Sequence, residues 1–343
     1  MTAPAARARL KVGVIGLGRL GKVYVRDLAS RIPETTVVAV ADIDRDLTSS
    51  IAAEFGIPAA YRSADEIVND RHVDALVIVS PTHAHRDHVT AAAAAGKPIF
   101  CEKPPALSLA DCKAMSDAVA QSGVFFQMGF MRRFDPGYAA AKEKISAGVI
   151  GRPVVFKASS RDPFRPSLEY AHPASSGGIM VDMGIHDFDL ARWFMGEVDV
   201  VSAVGGVLAY PEMASIGDID NAIATLVFSD GRLGVVDLTR NGVYGYDITT
   251  ELLGDRGTLR VGYLRETPIV TLTKNNVAHD TVPYFMERFE RAYTIQLQNF
   301  AQNVLSNRPP PVVLRDGVEA LRIALAATAA HQSGRSIKVG SVQ

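Results

Sequence analysis

An α/β domain on a parallel sheet, followed by an α+β domain with a large, mostly antiparallel open sheet, is the architecture the sequence predicts. Three observations carry it. Residues 11–128 alternate short, continuous apolar runs with helical patterns. A glycine-rich turn separates the first of these runs from the helix after it. Beyond Gly129 the strands cluster, and tight turns rather than helices join several of them. Unbroken apolar strands belong to parallel sheets covered on both faces, whereas hairpin-linked strands belong to antiparallel ones.

In chain order, Lys11–Gly16 is a short apolar strand and Leu20–Ser30 a helix. Thr36–Ala41 is a β-branched strand between Pro33-Glu34 and Asp42. Ala75–Val79, Ile99–Cys101 and Val124–Met128 repeat the pattern with helices between them. In the second half, Pro153–Ala158, Val198–Val207, Asn221–Phe228, Arg232–Leu238, Asp247–Leu253 and Gly257–Val261 read as strands. Ser229-Asp230-Gly231-Arg232 and Gly254-Asp255-Arg256-Gly257 are turns. Two helices follow, near 284–305 and 317–332; the second opens on a capping-box spacing, Asp316 to Glu319, after Pro309-Pro310-Pro311. The expected domains are 1–129 and 130–343.

Bulk properties narrow the function. A chain of 343 residues is long for one core, and 48% hydrophobic with 21% charged residues is ordinary for a packed protein. A net charge of −1 supplies no field to gather nucleic acid or an anionic membrane. No apolar run reaches the roughly 18 residues a membrane span needs. The opening MTAPAARARL lacks an apolar core, so no secretory signal is expected. Cys101 and Cys112 are too few for a disulfide framework, and a reducing cytoplasm is the expected compartment.

Val12–Gly21 contains G-x-G-x-x-G between a strand and a helix, the fingerprint of a Rossmann dinucleotide site. Gly16 permits the tight turn, Gly18 lets backbone approach a pyrophosphate, and Gly21 lets helix pack on strand. The intervening Leu17 and the helix start, Arg19 and Leu20, would present N–H groups to the phosphates. Asp42, ending the second strand, can accept both ribose hydroxyls of the adenosine half. It would repel a 2′-phosphate at about 4 Å by a few kcal/mol, so NAD is the expected cofactor. Arg45 could partly offset that repulsion.

Two further strands end in reactive residues at the edge where such sheets bind ligands. One continues Ser80-Pro81-Thr82-His83-Ala84-His85; the other is Ile99-Phe-Cys-Glu102-Lys103-Pro104-Pro105. A lysine between a buried strand and two prolines is held rigidly. Gly177–Trp193 reads as a glycine-led helix with Asp182 and His186 at i,i+4, on one face. A carboxylate beside an imidazole orients it and raises its basicity, which suits removal of an alcohol proton as hydride leaves. His83, His85 and His88 lack a cysteine or acidic ligand to complete a set, so no metal is expected.

The glycine fingerprint, Pro81 and His85, Glu102-Lys103-Pro104 and Gly177–Trp193 together resemble the glucose–fructose oxidoreductase / inositol dehydrogenase (Gfo/Idh/MocA) family over nearly the whole chain. Met128–Pro136 and Ser160–Pro163 resemble its inositol 2-dehydrogenase branch. The resemblance implies catalytic groups from both domains: Lys103, Asp182 and His186. It implies cofactor contacts from Gly16, Leu17, Gly18, Arg19, Leu20, Asp42, Ser80, Pro81, Thr82, His85, Glu102 and Lys103. Arg132, Asp162 and Tyr244 join the catalytic three as expected polyol contacts; Arg165 and Tyr293 are weaker choices, Tyr293 equally a core residue. The implied activity is NAD-dependent oxidation of a secondary alcohol of a cyclic polyol, with myo-inositol giving 2-keto-inositol as the leading case. Another inositol stereoisomer or a pyranose sugar is the alternative substrate. A non-catalytic dinucleotide-sensing regulator is the alternative function, disfavoured by the presence of all three proton-transfer groups. Relatives suggest a homotetramer built through the second sheet.

Overall fold

The computed structural model describes residues 9–262 and 266–342. The chain forms two compact units, one holding residues through Met131 together with Tyr293–Val318, the other Arg132–Ala292 together with the chain from Glu319 on. Residues 293–318, placed with the second domain by sequence, thus group with the first unit.

The first unit runs β1 (Leu10–Ile15), α1 (Arg19–Ser30), β2 (Thr35–Ala41), α2 (Arg45–Phe55), β3 (Ala59–Tyr61), α3 (Ala64–Asn69), β4 (Ala75–Ile78), α4 (His85–Ala94), β5 (Ile99–Glu102), α5 (Leu109–Ser122) and β6 (Phe126–Gly129). All six strands are parallel, in the order β3-β2-β1-β4-β5-β6. The order reverses beside β1, which opens the crevice that nucleotides use at the strands' C-terminal ends. Strands β4, β5 and β6 are buried along their full length, as their unbroken apolar runs require. The sequence pattern missed β3, a three-residue, half-exposed strand with no run or alternation to reveal it. Local capping sets the helix ends: Asp44 accepts from Asp46 and Leu47 N–H groups, and Ser63 with Glu66 forms a capping box.

The second unit runs α6 (Pro136–Ser146), β7 (Pro153–Arg161), α7 (Leu168–Ala171), α8 (Pro173–Ser176), α9 (Ile179–Asp182), α10 (Gly184–Met195), β8 (Val198–Gly206), β9 (Asn221–Phe228), β10 (Leu233–Thr239), β11 (Asp247–Gly254), β12 (Thr258–Val261), β13 (Thr271–Leu272) and β14 (Val277–Ala278). Helices α11 (Phe285–Leu305) and α12 (Leu314–Ser333) and strand β15 (Ile337–Lys338) complete the chain. Helix α12 begins two residues before Asp316, whose carboxylate reaches back to the Val313 N–H at 3.0 Å. Asp316 therefore sits inside the first turn, where sequence had made it the cap.

Seven strands form the second sheet in the order β12-β11-β7-β10-β9-β8-β15. Every pairing is antiparallel except β7 with β10. One face buries Phe156, Ala158, Ala224, Leu226, Val236, Leu238, Ile248 and Leu252, and α10 packs against β7 and β10. The other face leaves Ile223, Val227 and Leu233 exposed. Strand periodicity of two makes that division, since successive side chains point to opposite faces.

Candidate active site

Three glycines after β1 meet three different demands. Gly16 has φ +94°, and a Cβ there would stand 2.5 Å from the Ser80 nitrogen. A Cβ on Gly21 would stand 2.1 Å from the Gly16 oxygen. A Cβ on Gly18 would meet nothing within 4 Å, so this glycine answers no need of the protein's own packing. Open space at Gly18, a helix start without a side-chain cap, and no acidic residue in the first turn of α1 together fit a pyrophosphate. Asp42 follows β2; its Oδ2 accepts the Leu17 N–H at 2.7 Å and its Oδ1 the Asp44 N–H at 3.0 Å. A carboxylate has about four acceptor sites, so capacity for ribose hydroxyls remains. Asp42 thus ties the glycine loop to β2 while presenting its charge at the sheet's edge.

The ends of β4 and β5 are tied by His85. Its Nδ1 lies 2.9 Å from the Pro104 oxygen and its Nε2 2.8 Å from the Ser80 oxygen. Burial pushes the imidazole down to about 4, and the two carbonyl contacts work the other way without prevailing. At neutral pH the ring therefore carries one N–H and donates to one of the two carbonyls. The sequence reading placed His85 among cofactor contacts; the buried ring instead binds two loops together. Ser80 Oγ also pairs with His88 Nδ1 at 2.9 Å, and Pro81 and Thr82 enter a short 3-10 turn leading into α4. His83 and His88 do not join His85 in a ligand set: among the described residues no group of three His, Cys, Asp or Glu side chains is arranged to hold a metal ion.

Glu102, also expected at the cofactor, is buried within a polar cluster. Its Oε1 accepts from the Tyr24 hydroxyl and, at 3.4 Å, from Gln296 Nε2; its Oε2 accepts the Lys103 N–H at 3.0 Å. Gln296 Nε2 also donates to the Tyr24 oxygen at 2.5 Å. Burial raises the Glu102 carboxyl, opposed by Tyr24 and by the Lys103 charge. Sequence had no means to link Tyr24, Glu102 and Gln296, which lie up to 272 residues apart. Glu102 thereby anchors the backbone of Lys103, the half-exposed residue that follows β5. Tyr293 is core: its ring lies 5.9 Å from that of Tyr24.

In the second unit, Asp182 and His186 do not share one helix. Asp182 ends α9, His186 lies in the first turn of α10, and Met183 separates the two. The His186 N–H reaches the Met183 oxygen at 3.4 Å, the tighter three-residue spacing of a broken turn. Gly178, with φ +76°, starts α9 in a backbone region that side chains disfavour. Asp182 Oδ1 accepts from the Tyr170 hydroxyl at 3.0 Å, and its Oδ2 from Arg240 Nη1 at 3.3 Å. The Asp182 charge, then burial, push the Tyr170 phenol up, so it stays a donor. Arg240 carries no signal as a site residue in the sequence, because it lies in a different segment from Asp182. His186 is buried directly beside Asp187 on α10.

Arg132, expected to touch the polyol, is buried and paired instead. Its Nη1 donates to Asp187 Oδ1 at 2.6 Å and its Nη2 to Ser160 Oγ at 3.0 Å, while Ser160 donates to Asp187 Oδ2 at 2.6 Å. Burial opposes the guanidinium charge, and Asp187 together with the nearby Tyr138 and Tyr246 offsets it, leaving Arg132 above its ordinary range. Arg132 thus braces the residue next to His186. Tyr244 donates to Asp247 Oδ2 at 2.8 Å and accepts from Arg161 Nη1 at 3.1 Å. Asp162 is half-buried just after β7, with its backbone tied to Thr239 and Gly242. Arg165 pairs with Glu212 at 2.6 Å.

A Rossmann unit with an open glycine cradle and a strand-end lysine, in a chain whose second unit holds an aspartate–histidine segment, defines a nicotinamide-dependent oxidoreductase. The model of the oxidoreductase family's NAD-binding Rossmann fold matches residues 10–130, and that of its C-terminal alpha/beta domain matches residues 142–339. The chain belongs to this family, that of glucose–fructose oxidoreductase and inositol dehydrogenase, and its cofactor is NAD. It is 39% identical over 335 residues to myo-inositol 2-dehydrogenase of Thermotoga maritima, covering 97% of this chain and 99% of that one. It is 38% identical over 332 residues to the NAD(+)-dependent scyllo-inositol 2-dehydrogenase of Bacillus subtilis, covering 96% of each. The crystal structure of scyllo-inositol dehydrogenase from Lactobacillus casei, with NAD(H) and scyllo-inositol bound, superposes with a TM-score of 0.92 at 31% identity, over 97% of this chain and all of that one.

Proposed function

We propose that this protein oxidises one secondary alcohol of an inositol, myo-inositol to 2-keto-inositol, using NAD. The observation that carries the reading is the Asp182 carboxylate, held between the Tyr170 hydroxyl and Arg240 four residues before the buried His186. A carboxylate with both oxygens held in place can fix a ring hydroxyl in one orientation. Relatives that cover nearly the whole chain are named as inositol dehydrogenases, which supports an inositol as the polyol.

NAD, when bound, accepts the hydride from the carbinol carbon. His186 takes the hydroxyl proton as general base, Asp182 orients the hydroxyl and stabilises the imidazolium that forms, and Lys103 donates a hydrogen bond to the reacting oxygen. The alcohol loses one hydride and one proton and leaves as the ketone. NAD binding is assigned to Gly16, Gly18, the start of α1, Asp42 and the Ser80–Thr82 turn; polyol binding is assigned to the second unit, with Asp162 and Tyr244 as further contacts. The half-exposed apolar face of the second sheet, with Ile223, Val227 and Leu233, supports a homotetramer as the working assembly. Two buried free cysteines suit a cytoplasmic setting.

Initial rates of NADH formation with myo-, scyllo- and chiro-inositol beside glucose and galactose test the substrate. An inositol is expected to give the highest kcat/KM. A hexose that exceeds every inositol would overturn the substrate and leave the dehydrogenase class standing.

A further inference from the structure

We infer that Arg240 is a positioning residue for the oxidation, acting by fixing the carboxylate of Asp182. The inference rests on the reading of Asp182 as a catalytic group.

Arg240 directly follows β10, and its side chain is 0% exposed. A guanidinium taken fully out of water needs anionic partners, because the desolvation penalty is several kcal/mol for a single ion. Two carboxylates meet that need. Arg240 Nη1 donates to Asp182 Oδ2 at 3.3 Å, and Nη2 lies 3.6 Å from Asp218 Oδ2. The second carboxylate leads back to the first: Asp218 Oδ1 accepts the Ile179 N–H at 3.2 Å, at the first residue of the short helix that ends in Asp182. A Cβ on Gly178 would stand 2.9 Å from that same Asp218 oxygen, so the helix start is seated directly on Asp218. Arg240 therefore controls Asp182 by a direct charge-assisted hydrogen bond and, through Asp218, by the backbone that carries it.

Tyr170 donates to Oδ1 and Arg240 to Oδ2, so both oxygens of the Asp182 carboxylate are held in place. Burial of the guanidinium calls for anionic partners in general; that the hydrogen-bonded one is Asp182, the carboxylate assigned to the substrate hydroxyl, while Asp218 stands at 3.6 Å, is what points to a positioning role.

A double-mutant cycle on the full-length protein decides between the two roles. Arg240→Gln, Asp182→Asn, Asp218→Asn and Arg240→Gln with Asp182→Asn are compared for kcat and KM with myo-inositol, for the kinetic isotope effect with inositol deuterated at the reacting carbon, and for NAD affinity. Arg240→Gln is expected to lower kcat about 10²-fold, to raise the isotope effect and to leave NAD affinity within about twofold. In the Asp182→Asn background the same change is expected to lower kcat less than about threefold. Asp218→Asn is expected to lower kcat at least about fivefold less than Arg240→Gln does. Equal losses from Arg240→Gln in both backgrounds, or an Asp218→Asn loss as large as that of Arg240→Gln, would overturn the inference. Should Arg240→Gln fail to fold, Arg240→Lys takes its place in the cycle: lysine lacks the planar fork that sets one nitrogen toward each carboxylate, and the same non-additivity with Asp182→Asn is required. An Asp182→Asn enzyme with wild-type turnover sinks the catalytic reading itself. An inactive Asp182→Asn beside a fully active Arg240→Gln sinks only the role of Arg240.

Discussion

The glycine turn of the first unit and the Asp182 segment of the second are built on opposite principles. The turn is made of backbone: Gly16 and Gly21 are glycines because any Cβ would strike main-chain atoms at 2.5 and 2.1 Å. Its partners are its own Gly16 oxygen, the Ser80 backbone just after β4, and Asp42, which is 25 residues from Leu17. The Asp182 segment is made of side chains gathered from Tyr170, Asp218 and Arg240, up to 58 residues away. Backbone sites are dictated by main-chain sterics, and side-chain sites by which polar groups the fold gathers. A change in the first should act mainly on cofactor binding or folding, and a change in the second on turnover or on the stability of a buried charge.

The largest effect expected is at Arg132. Arg132→Met removes one half of a buried pair, leaving the Asp187 charge without its cation inside the second unit. Breaking such a pair destabilises by roughly 3–5 kcal/mol. Chemical denaturation of the pure protein measures it. A loss under about 1 kcal/mol, accompanied by a large rise in KM for the polyol, would return Arg132 to the role of substrate contact that the sequence suggested.

His85 gives an effect of about 3 kcal/mol, and it depends on pH. Its folded-state pKa is depressed from 6.5 to about 4 by burial. Between those values the unfolded chain holds a proton that the folded one does not, so stability rises with pH across the window. The contribution is complete above pH 6.5 and is lost progressively as pH falls toward 4. His85→Gln should flatten that part of the stability–pH curve. A curve of unchanged slope would show that the ring is already protonated in the fold, donating to both Pro104 and Ser80.

Lys103→Ala is expected to lower turnover by about 10²-fold, near 2.7 kcal/mol, with NAD binding close to normal. The residue follows a buried strand, its backbone held by Glu102. Weakened NAD binding with unchanged single-turnover hydride transfer would make Lys103 a cofactor residue and blur the division between a binding turn and a chemical site.

The same division explains what could be read in advance. Parallel strands β1, β2, β4, β5 and β6 were legible because burial on both faces leaves an apolar run that periodicity cannot hide. Strands β8 to β12 were legible from alternation and from their turns. The glycine loop and Asp42 stand out in the sequence because the turn leaves no room for a Cβ at Gly16 or Gly21 and a carboxylate follows β2. Glu102, His85 and Arg132 were found as polar residues at site-like positions, yet their side chains are bound to Tyr24 and Gln296, to Ser80 and Pro104, and to Asp187 and Ser160. Spacing says where a side chain begins and not which partner captures it. Asp218 and Arg240 gave no signal, since an aspartate and an arginine in separate loops carry no motif until the fold joins them.

The smallest effect sharpens the comparison, because Asp42 belongs to both kinds of site. Its charge at the end of β2 should give the wild-type enzyme at least about a tenfold preference for NAD over NADP in kcat/KM, by repulsion of a 2′-phosphate. Its Oδ2 also accepts the Leu17 N–H at 2.7 Å, a contact that holds the glycine loop closed on β2. Two substitutions separate these duties. Asp42→Asn removes the charge and keeps one oxygen to accept from Leu17 at the expense of the Asp44 N–H, so the NAD preference should narrow with a smaller loss of NAD affinity than in Asp42→Ser. Asp42→Ser removes the charge and, having a shorter side chain, the tie as well, so the preference should narrow while NAD binds more weakly by up to about tenfold. If both variants lose NAD affinity equally, the loss comes from the ribose contacts and the Leu17 bond has no part in shaping the loop. If wild type prefers NADP, charge repulsion at this strand end does not select the cofactor.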